Sequence, residues 1–265
     1  MNRIESDKLI FGLAHNFVLT SFEGVTGEIL DSYLSTPDKP VTLEGIFQRL
    51  LQSAKNANMK DNVIGDLELI KENVLFDYSA SRILNEYNDE SHLLEKIIAV
   101  KPNVKTTEKS IWPKYCRTIL EAAKFITQYD SGDDFHQKVK FFYVDDRIRK
   151  ALPMLIESEI YGIGFPLACD FLKEIGYDKF GKPDIHIKDI FMRTGLAEKG
   201  DDLSILAAIS RIAENVKTTA YAVDKLFWLV GSGFFYKHKK ELGTKGKFGR
   251  MKDEFVTLVA KESRA

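Results

Sequence analysis

The chain is predicted to be all-α, and three observations predict it. Apolar residues recur at the three-to-four-residue spacing of a buried helical face in segment after segment. No stretch shows period-two alternation closed by hairpin turns. Prolines and glycines fall where helices begin and end: Pro113, Pro153 and Pro183 at starts, Gly176 and Gly231 at stops.

Residues 1–41 carry the weakest pattern. Helix-like apolar spacing over 9–20 is followed by a glycine-containing segment at 23–27 and a proline-punctuated link at Pro37 and Pro40. From Thr42 the signal is clear. Leu43, Ile46, Phe47, Leu50, Leu51 and Ala54 share one helical face, with Thr42 placed to cap it. That stripe ends in the polar run QSAKNANMKDN. Helices are expected at about 66–75, 91–100 and 112–129, the third with Pro113 in its first turn and Cys116, Ile119, Leu120, Ala123 and Ile126 along one face. The acidic turn 130–134 reads as a helix cap, because it lacks the ligand spacing and terminal glutamate of a calcium loop. Past the middle of the chain, helices are expected near 201–217, 219–230 (core stripe Val223, Leu226, Phe227, Val230, stopped by Gly231) and 252–261.

The 265 residues allow one large domain or two lobes, enough to bury roughly 75% of the unfolded surface without a metal or disulfides. Hydrophobic content of 44% and charged content of 29% fit a soluble globular protein. Cys116 and Cys169 lie in apolar helical surroundings and read as reduced core residues, so a cytoplasmic compartment is expected. MNRIESDK leads into no cleavable apolar segment, and no run is long enough for a membrane span. Net charge is −1, yet 237–252 holds seven Lys or Arg against one Glu, a local charge of +6. A solvated glycine-spaced loop and a nucleic-acid backbone contact both account for that run.

The most informative stretch is PMLIESEIYGIGFPLACDFLKEIGYDKFGKPDIHI, residues 153–187. It reads as a helix opened by Pro153, a tight turn Tyr161-Gly162-Ile163-Gly164, and a second helix from Pro166 to about Ile175. Gly176 ends that helix in the left-handed position. Glycines free the turn of side-chain clashes and expose amides, which beside a helix N-terminus suit one phosphate. Pro183-Asp184 then opens another helix with a carboxylate at its start. Lys173 and Lys188 fall at helical positions expected to be exposed.

This pattern resembles the helix-hairpin-helix, glycine/proline-aspartate DNA glycosylase superfamily, which includes endonuclease III and the 8-oxoguanine and alkylpurine glycosylases. The matching residues are Gly162-Ile163-Gly164 with Ala168 four positions on, then Pro183-Asp184-Ile185-His186-Ile187. The match is specific over 153–194 and looser over 42–62 and 220–233, where AYAVDKLFWLVGSG is similar to the penultimate helix of some members. Asp224 in that helix is a candidate second functional acid, against the plainer reading of an exposed or internally paired carboxylate.

The resemblance implies a two-lobed helical fold with a central DNA-binding cleft. A bundle over 42–176 would end in the hairpin, and 1–41 with 177–265 would form the second lobe. It implies Asp184 as the catalytic carboxylate, His186 as a structural or orienting neighbour, and Gly162, Ile163, Gly164 and Pro166 as the DNA-backbone grip. Lys245, Lys247 and Arg250 of the basic run would join that grip. By position Gln52, Lys55, Asn56 and Asn58 would approach the everted base or the gap it leaves, although an ordinary polar helix end accounts for each of them too.

Bifunctional members carry a Schiff-base lysine where this chain has Pro166, so a monofunctional enzyme that stops at an abasic site is expected. Two cysteines cannot ligate the four-cysteine iron–sulfur cluster of some members. Tyr161 replaces the common proline before the turn. No cofactor or catalytic metal is expected; the resemblance admits a structural monovalent cation at the hairpin. The expected partner of a monomeric protein is double-stranded DNA. Its target would be a damaged base or, as in relatives acting on phage DNA, a glucosylated hydroxymethylcytosine. The alternatives are a non-catalytic hairpin DNA-binding module and a relative of the pyrophosphorylases that modify phage thymine.

Overall fold

The computed structural model describes residues 2–56, 64–104, 106–107, 110–242 and 250–263. Among these, regular structure is entirely helical, as the sequence predicts. The chain divides into two compact units, one of residues 1–37 with 176–265 and one of residues 38–175.

The discontinuous unit begins with α1 (Arg3–Ser21) and α2 (Gly27–Leu34). Asn2 and Glu5 form a reciprocal capping box on α1, and the Thr26 side chain caps α2 through the Ile29 amide. The sequence pattern foreshadowed only part of α1 and none of α2, whose eight residues are too few for a legible stripe.

The continuous unit runs from α3 (Leu43–Ala54) through α4 (Glu68–Lys71), α5 (Ala80–Glu86), α6 (Glu90–Val100), α7 (Ile111–Ile126), α8 (Gly132–Tyr143), α9 (Ala151–Glu159) and α10 (Phe165–Glu174). Thr42 caps α3 through the Gly45 amide, and Ile46, Phe47, Leu50 and Leu51 are fully buried. α3 packs against α7 and α10, whose Cys116, Ile119, Ala123, Phe171 and Leu172 complete the core. Full burial of each large apolar side chain stabilises by about 1.5–3 kcal/mol relative to exposure. Both cysteines are buried thiols, and burial pushes Cys116 up to about 12.

Sequence expectations need correction at two points in this unit and hold at a third. The helix expected over 66–75 is a single turn, α4, followed by Phe76–Tyr78 with φ of 48°, 53° and 65°. Burying Val74, Leu75 and Tyr78 in near succession, with Phe76 stacked on Tyr87, outweighs the strain of that left-handed turn. The acidic turn does cap a helix: Ser131 takes the Asp134 amide, and α8 follows although its apolar spacing was not recognised. Lys173 is not exposed but 2% accessible, ion-paired to Asp170 and Glu174 at 3.6 and 3.1 Å.

The discontinuous unit resumes with α11 (Ile185–Thr194), α12 (Asp202–Val216), α13 (Ala220–Ser232), α14 (Lys239–Leu242) and α15 (Arg250–Glu262). α13 lies at the centre of this unit, packing on α1, α2, α11, α12 and α15. Val223, Leu226, Phe227, Leu229 and Val230 of α13 are fully buried. The helix does not stop at Gly231, as the sequence suggested, but runs to Ser232 and ends on Gly233 at φ 62°. α1 is tied to α12 by Arg211, which grips the fully buried Asp7 carboxylate at 2.8 and 3.2 Å, with Asn215 adding a bond at 2.8 Å.

Candidate functional site

The hairpin is built as the sequence predicts, within the continuous unit. Ile160 leaves α9 in extended conformation, and the Ile163 amide returns to its carbonyl at 3.2 Å. The Ile163 side chain is 1% exposed, so this residue anchors the turn in the core and its amide is already engaged. Gly162 has φ +82°, and a Cβ there would meet Thr118 Oγ1 at 2.5 Å. Both backbone and packing therefore demand glycine. Gly164 is different. Its φ of −83° suits any residue, and a Cβ would find only ordinary contacts, Glu157 Oε1 at 3.7 Å and Pro166 Cδ at 3.9 Å. Nothing inside the unit requires a glycine at that position.

Gly164 is the N-cap of α10, with no side chain to cap it and Pro166 in the first turn. Its carbonyl accepts both the Leu167 and Ala168 amides at 2.9 and 3.0 Å. The Gly164 and Phe165 amides find no acceptor among the described residues. The turn thus offers unspent N–H groups at a positive helix end, the chemistry that takes an anion.

The polar end of α3 behaves otherwise. Gln52 Oε1 accepts from Arg49 Nη1 at 2.9 Å, and Arg49 also pairs with Glu174 at 3.4 Å. Lys55 reaches the Gly65 carbonyl at 3.4 Å. Asn56 is exposed, and Asn58 lies outside the described residues. Gln52 and Lys55 are therefore held by protein partners, whereas Asn56 projects into solvent.

Asp184 lies in the other unit, at the start of α11. Its Oδ1 accepts both the His186 and Ile187 amides, at 2.9 and 3.0 Å. Oδ2 has no hydrogen bond among the described residues, and the side chain is half-buried. One oxygen fixes the carboxylate, and the second is not engaged by the described residues. The approach to Asp184 is itself tied down by α13. Asp224, 1% exposed, accepts the Lys182 amide at 2.6 Å, and the Asp184 amide bonds the Lys182 carbonyl at 2.8 Å. Asp224 is thus the internally paired carboxylate expected of it, acting through the loop that presents Asp184.

At the far end of the same contact, a Cβ on Gly231 would sit 2.7 Å from His186 Cβ. Gly231 is therefore a close-approach residue rather than a helix stop: it lets α11 lie directly on α13. His186 is half-buried, its Nδ1 has no partner among the described residues, and burial is the first cause holding its pKa below the ordinary value. The ring packs against Gly231 of α13.

Sequence reasoning missed part of this surrounding. Between Asp224 and Gly231, α13 also carries Lys225, 6% exposed, whose ammonium donates to Tyr236 Oη at 3.1 Å and lies 5.3 Å from the Tyr221 and Tyr236 ring centroids. Half-buried Trp228 packs edge-on against the same Tyr236. The residue types and helical spacing of 221, 225 and 228 were readable; that folding would bury Tyr221 and the Lys225 ammonium beside Tyr236 was not.

Of the basic run, Lys237 stacks over Tyr33 and donates to the Ser32 carbonyl, and Lys252 pairs with Asp189 at 2.7 Å. Lys245, Lys247 and the Arg250 side chain lie outside the described residues. Among the described residues no group of three or more His, Cys, Asp or Glu side chains could hold a metal, and no helix is long and apolar enough to cross a membrane.

No protein-family model matches the sequence, and no curated relative matches it. The structure is similar to that of the 8-oxoguanine glycosylase/lyase of Methanocaldococcus jannaschii, solved in complex with a 15mer DNA containing 8-oxoguanine. The TM-score is 0.58 at 18% identity, over 85% of this chain and 98% of that one. The fold is therefore that of a helix-hairpin-helix DNA glycosylase.

Proposed function

We propose that this protein is a DNA glycosylase of the monofunctional type, which hydrolyses the N-glycosidic bond of an everted base and leaves an abasic site. The observation that carries the reading is the Asp184 carboxylate, clamped through one oxygen by the first free amides of α11 and, among the described residues, unbonded at the other. Breaking an N-glycosidic bond builds positive charge on the deoxyribose, as in glycoside hydrolysis. A carboxylate fixed beside that sugar stabilises the developing cation and orients or deprotonates the attacking water, with general-base action worth about 10²–10⁴-fold. The target base must first leave the stack, at a cost of a few kcal/mol that also supplies selectivity.

The hairpin supplies the grip. Gly164 is a glycine without an internal reason, next to two unspent amides, which suits close approach of a DNA phosphate. A monovalent cation at this turn would be held by backbone carbonyls, as both oxygens of the nearby Glu121 are engaged. Lyase chemistry needs an amine to form a Schiff base, and Pro166 offers none at the hairpin position where bifunctional relatives carry lysine. The solved neighbour is a glycosylase/lyase, so this chain departs from it at that step.

For the substrate, the neighbour makes 8-oxoguanine one candidate. A phage-modified pyrimidine such as glucosylated hydroxymethylcytosine is the other, with anti-phage defence as the setting. The test incubates the protein and Asp184→Asn with duplexes of each modification type, identifies released bases by mass spectrometry and counts abasic sites by alkaline cleavage. Asparagine still caps α11, so the variant is expected to fold and bind DNA while base release falls at least about a hundredfold. Borohydride is expected to trap no covalent adduct. Equal base release by both proteins would sink the role of Asp184. No release from any DNA, with binding intact, would leave a non-catalytic hairpin module; a base altered without release would point to pyrophosphorylase-like chemistry.

A further inference from the structure

The side of the hairpin turn facing α7 carries a feature that the glycine motif does not explain. Lys114, Arg117, Thr118 and Glu121 share one face of α7 at helical spacing. Thr118 closes the space over Gly162, with its own hydroxyl bonded back to the Lys114 carbonyl at 3.0 Å. Glu121 divides its two oxygens: Oε2 accepts the Tyr161 amide at 2.6 Å and Oε1 accepts Arg117 Nε at 2.9 Å. The Arg117 guanidinium then lies 4.1 Å over the Tyr161 ring. Arg117, Glu121 and Tyr161 thus close a ring of contacts around the residue that enters the turn.

That ring holds a cation in place without consuming it. An arginine has five donors in a planar fork. Only Nε is engaged here, so the two terminal amino groups are left without an acceptor among the described residues. The side chain is 51% exposed, and its neighbour Lys114, one turn away, is exposed as well. Stacking on the tyrosine face and the Glu121 bond remove most of the rotamer freedom that an exposed arginine would give up on binding. A planar fork held in advance is the geometry that takes a phosphate in bidentate fashion.

We propose that Arg117, with Lys114 beside it, forms a second phosphate-binding subsite, taking a DNA backbone phosphate next to the one gripped by the hairpin amides. The inference rests on the DNA-acting reading above and adds to it a contact outside the hairpin motif. Tyr161, at the position where relatives of this fold commonly carry proline, gains a purpose: it supplies the ring on which the guanidinium is laid.

The test measures affinity for an unmodified duplex by fluorescence anisotropy across a salt series, comparing the protein with Arg117→Gln and Lys114→Gln, each checked by thermal unfolding. Each phosphate that is no longer neutralised takes about 0.9 from the slope of log K against log salt. Each variant is expected to bind several-fold more weakly, with a slope shallower by about one unit and an unchanged melting temperature. Arg117→Lys should recover the slope but only part of the affinity, since charge returns without the fork. A folded Arg117→Gln protein with the parental slope overturns the subsite. Should that variant fail to fold, a parental slope for Lys114→Gln overturns it instead. Failure of the parent protein to bind DNA at any salt would remove the DNA-acting reading itself, and with it this subsite.

Discussion

The two glycines of the hairpin look equivalent in the motif and differ in the fold. Gly162 is required from inside, by a φ of +82° and by Thr118 Oγ1 at 2.5 Å from any Cβ; Gly164 is required by nothing inside. Gly162→Ala is expected to destabilise the protein by about 1–3 kcal/mol, because strain and clash add. Gly164→Ala is expected to leave the melting temperature nearly unchanged and to weaken DNA binding, because a methyl group would stand where a phosphate approaches. Thermal unfolding with duplex binding on the same two variants separates the cases. A Gly164→Ala protein that binds like its parent would remove the turn from the DNA-binding surface. Placement was legible at this scale: Asp184 at a helix start from its proline and histidine neighbours, and the turn from its glycines. The roles of Arg117 and Thr118 were not, since their partners across the turn are far away in the chain and no local pattern marks them.

At the scale of elements, the Asp184 carboxylate is a property of two helices. α11 supplies the amides that hold it, and α13 positions the loop before it through Asp224 and the residue after next through Gly231. His186 records the closeness of that packing. Burial holds its folded pKa below the unfolded value of about 6.5, so the unfolded chain binds more protons once pH drops beneath that value. Stability from this group is therefore fully present above about pH 6.5 and is lost as pH falls toward the lowered folded pKa. Asp184 opposes the shift; Lys252 and Lys182 reinforce it. Unfolding midpoints measured from about pH 7.5 to 5 should fall more steeply for the parent than for His186→Gln. Parallel curves would show that the histidine is not buried as a neutral ring. The sequence marked Gly231 as a helix stop because a glycine near the end of an apolar stripe usually is one. The helix continues because the glycine is needed for close packing, a contact invisible in one dimension.

At the scale of the whole molecule, the chain's first 37 residues belong to the same unit as residues 176–265. α1 joins α12 through Asp7, which is fully buried and shared by Arg211 and Asn215, while Arg3 reaches the carbonyls of Gly195 and Leu196. Removing the carboxylate would leave a guanidinium partly buried and unpaired. Asp7→Ala is expected to cost about 2–4 kcal/mol, read as a lower denaturation midpoint with an unchanged slope in urea. A change below about 0.5 kcal/mol would mean that apolar packing alone seats α1. The buried thiols offer a further check on compactness: Cys116, with its pKa pushed to about 12, should resist alkylation in the native protein and react only on unfolding.

Periodicity and punctuation in the sequence determined the helical class, the caps at Thr42 and Asp184, the hairpin, and the carboxylate at the start of α11. These are short-range properties, set by side-chain spacing over one or two turns and by what proline and glycine allow the backbone. Tertiary structure alone decided the rest. It cut the expected 66–75 helix to a single turn, buried Lys173 in an ion-pair cluster, carried α13 past Gly231, and laid Arg117 over Tyr161. Each of these depends on a partner brought close by folding, and the energy of such a contact overrides the local preference from which a sequence is read.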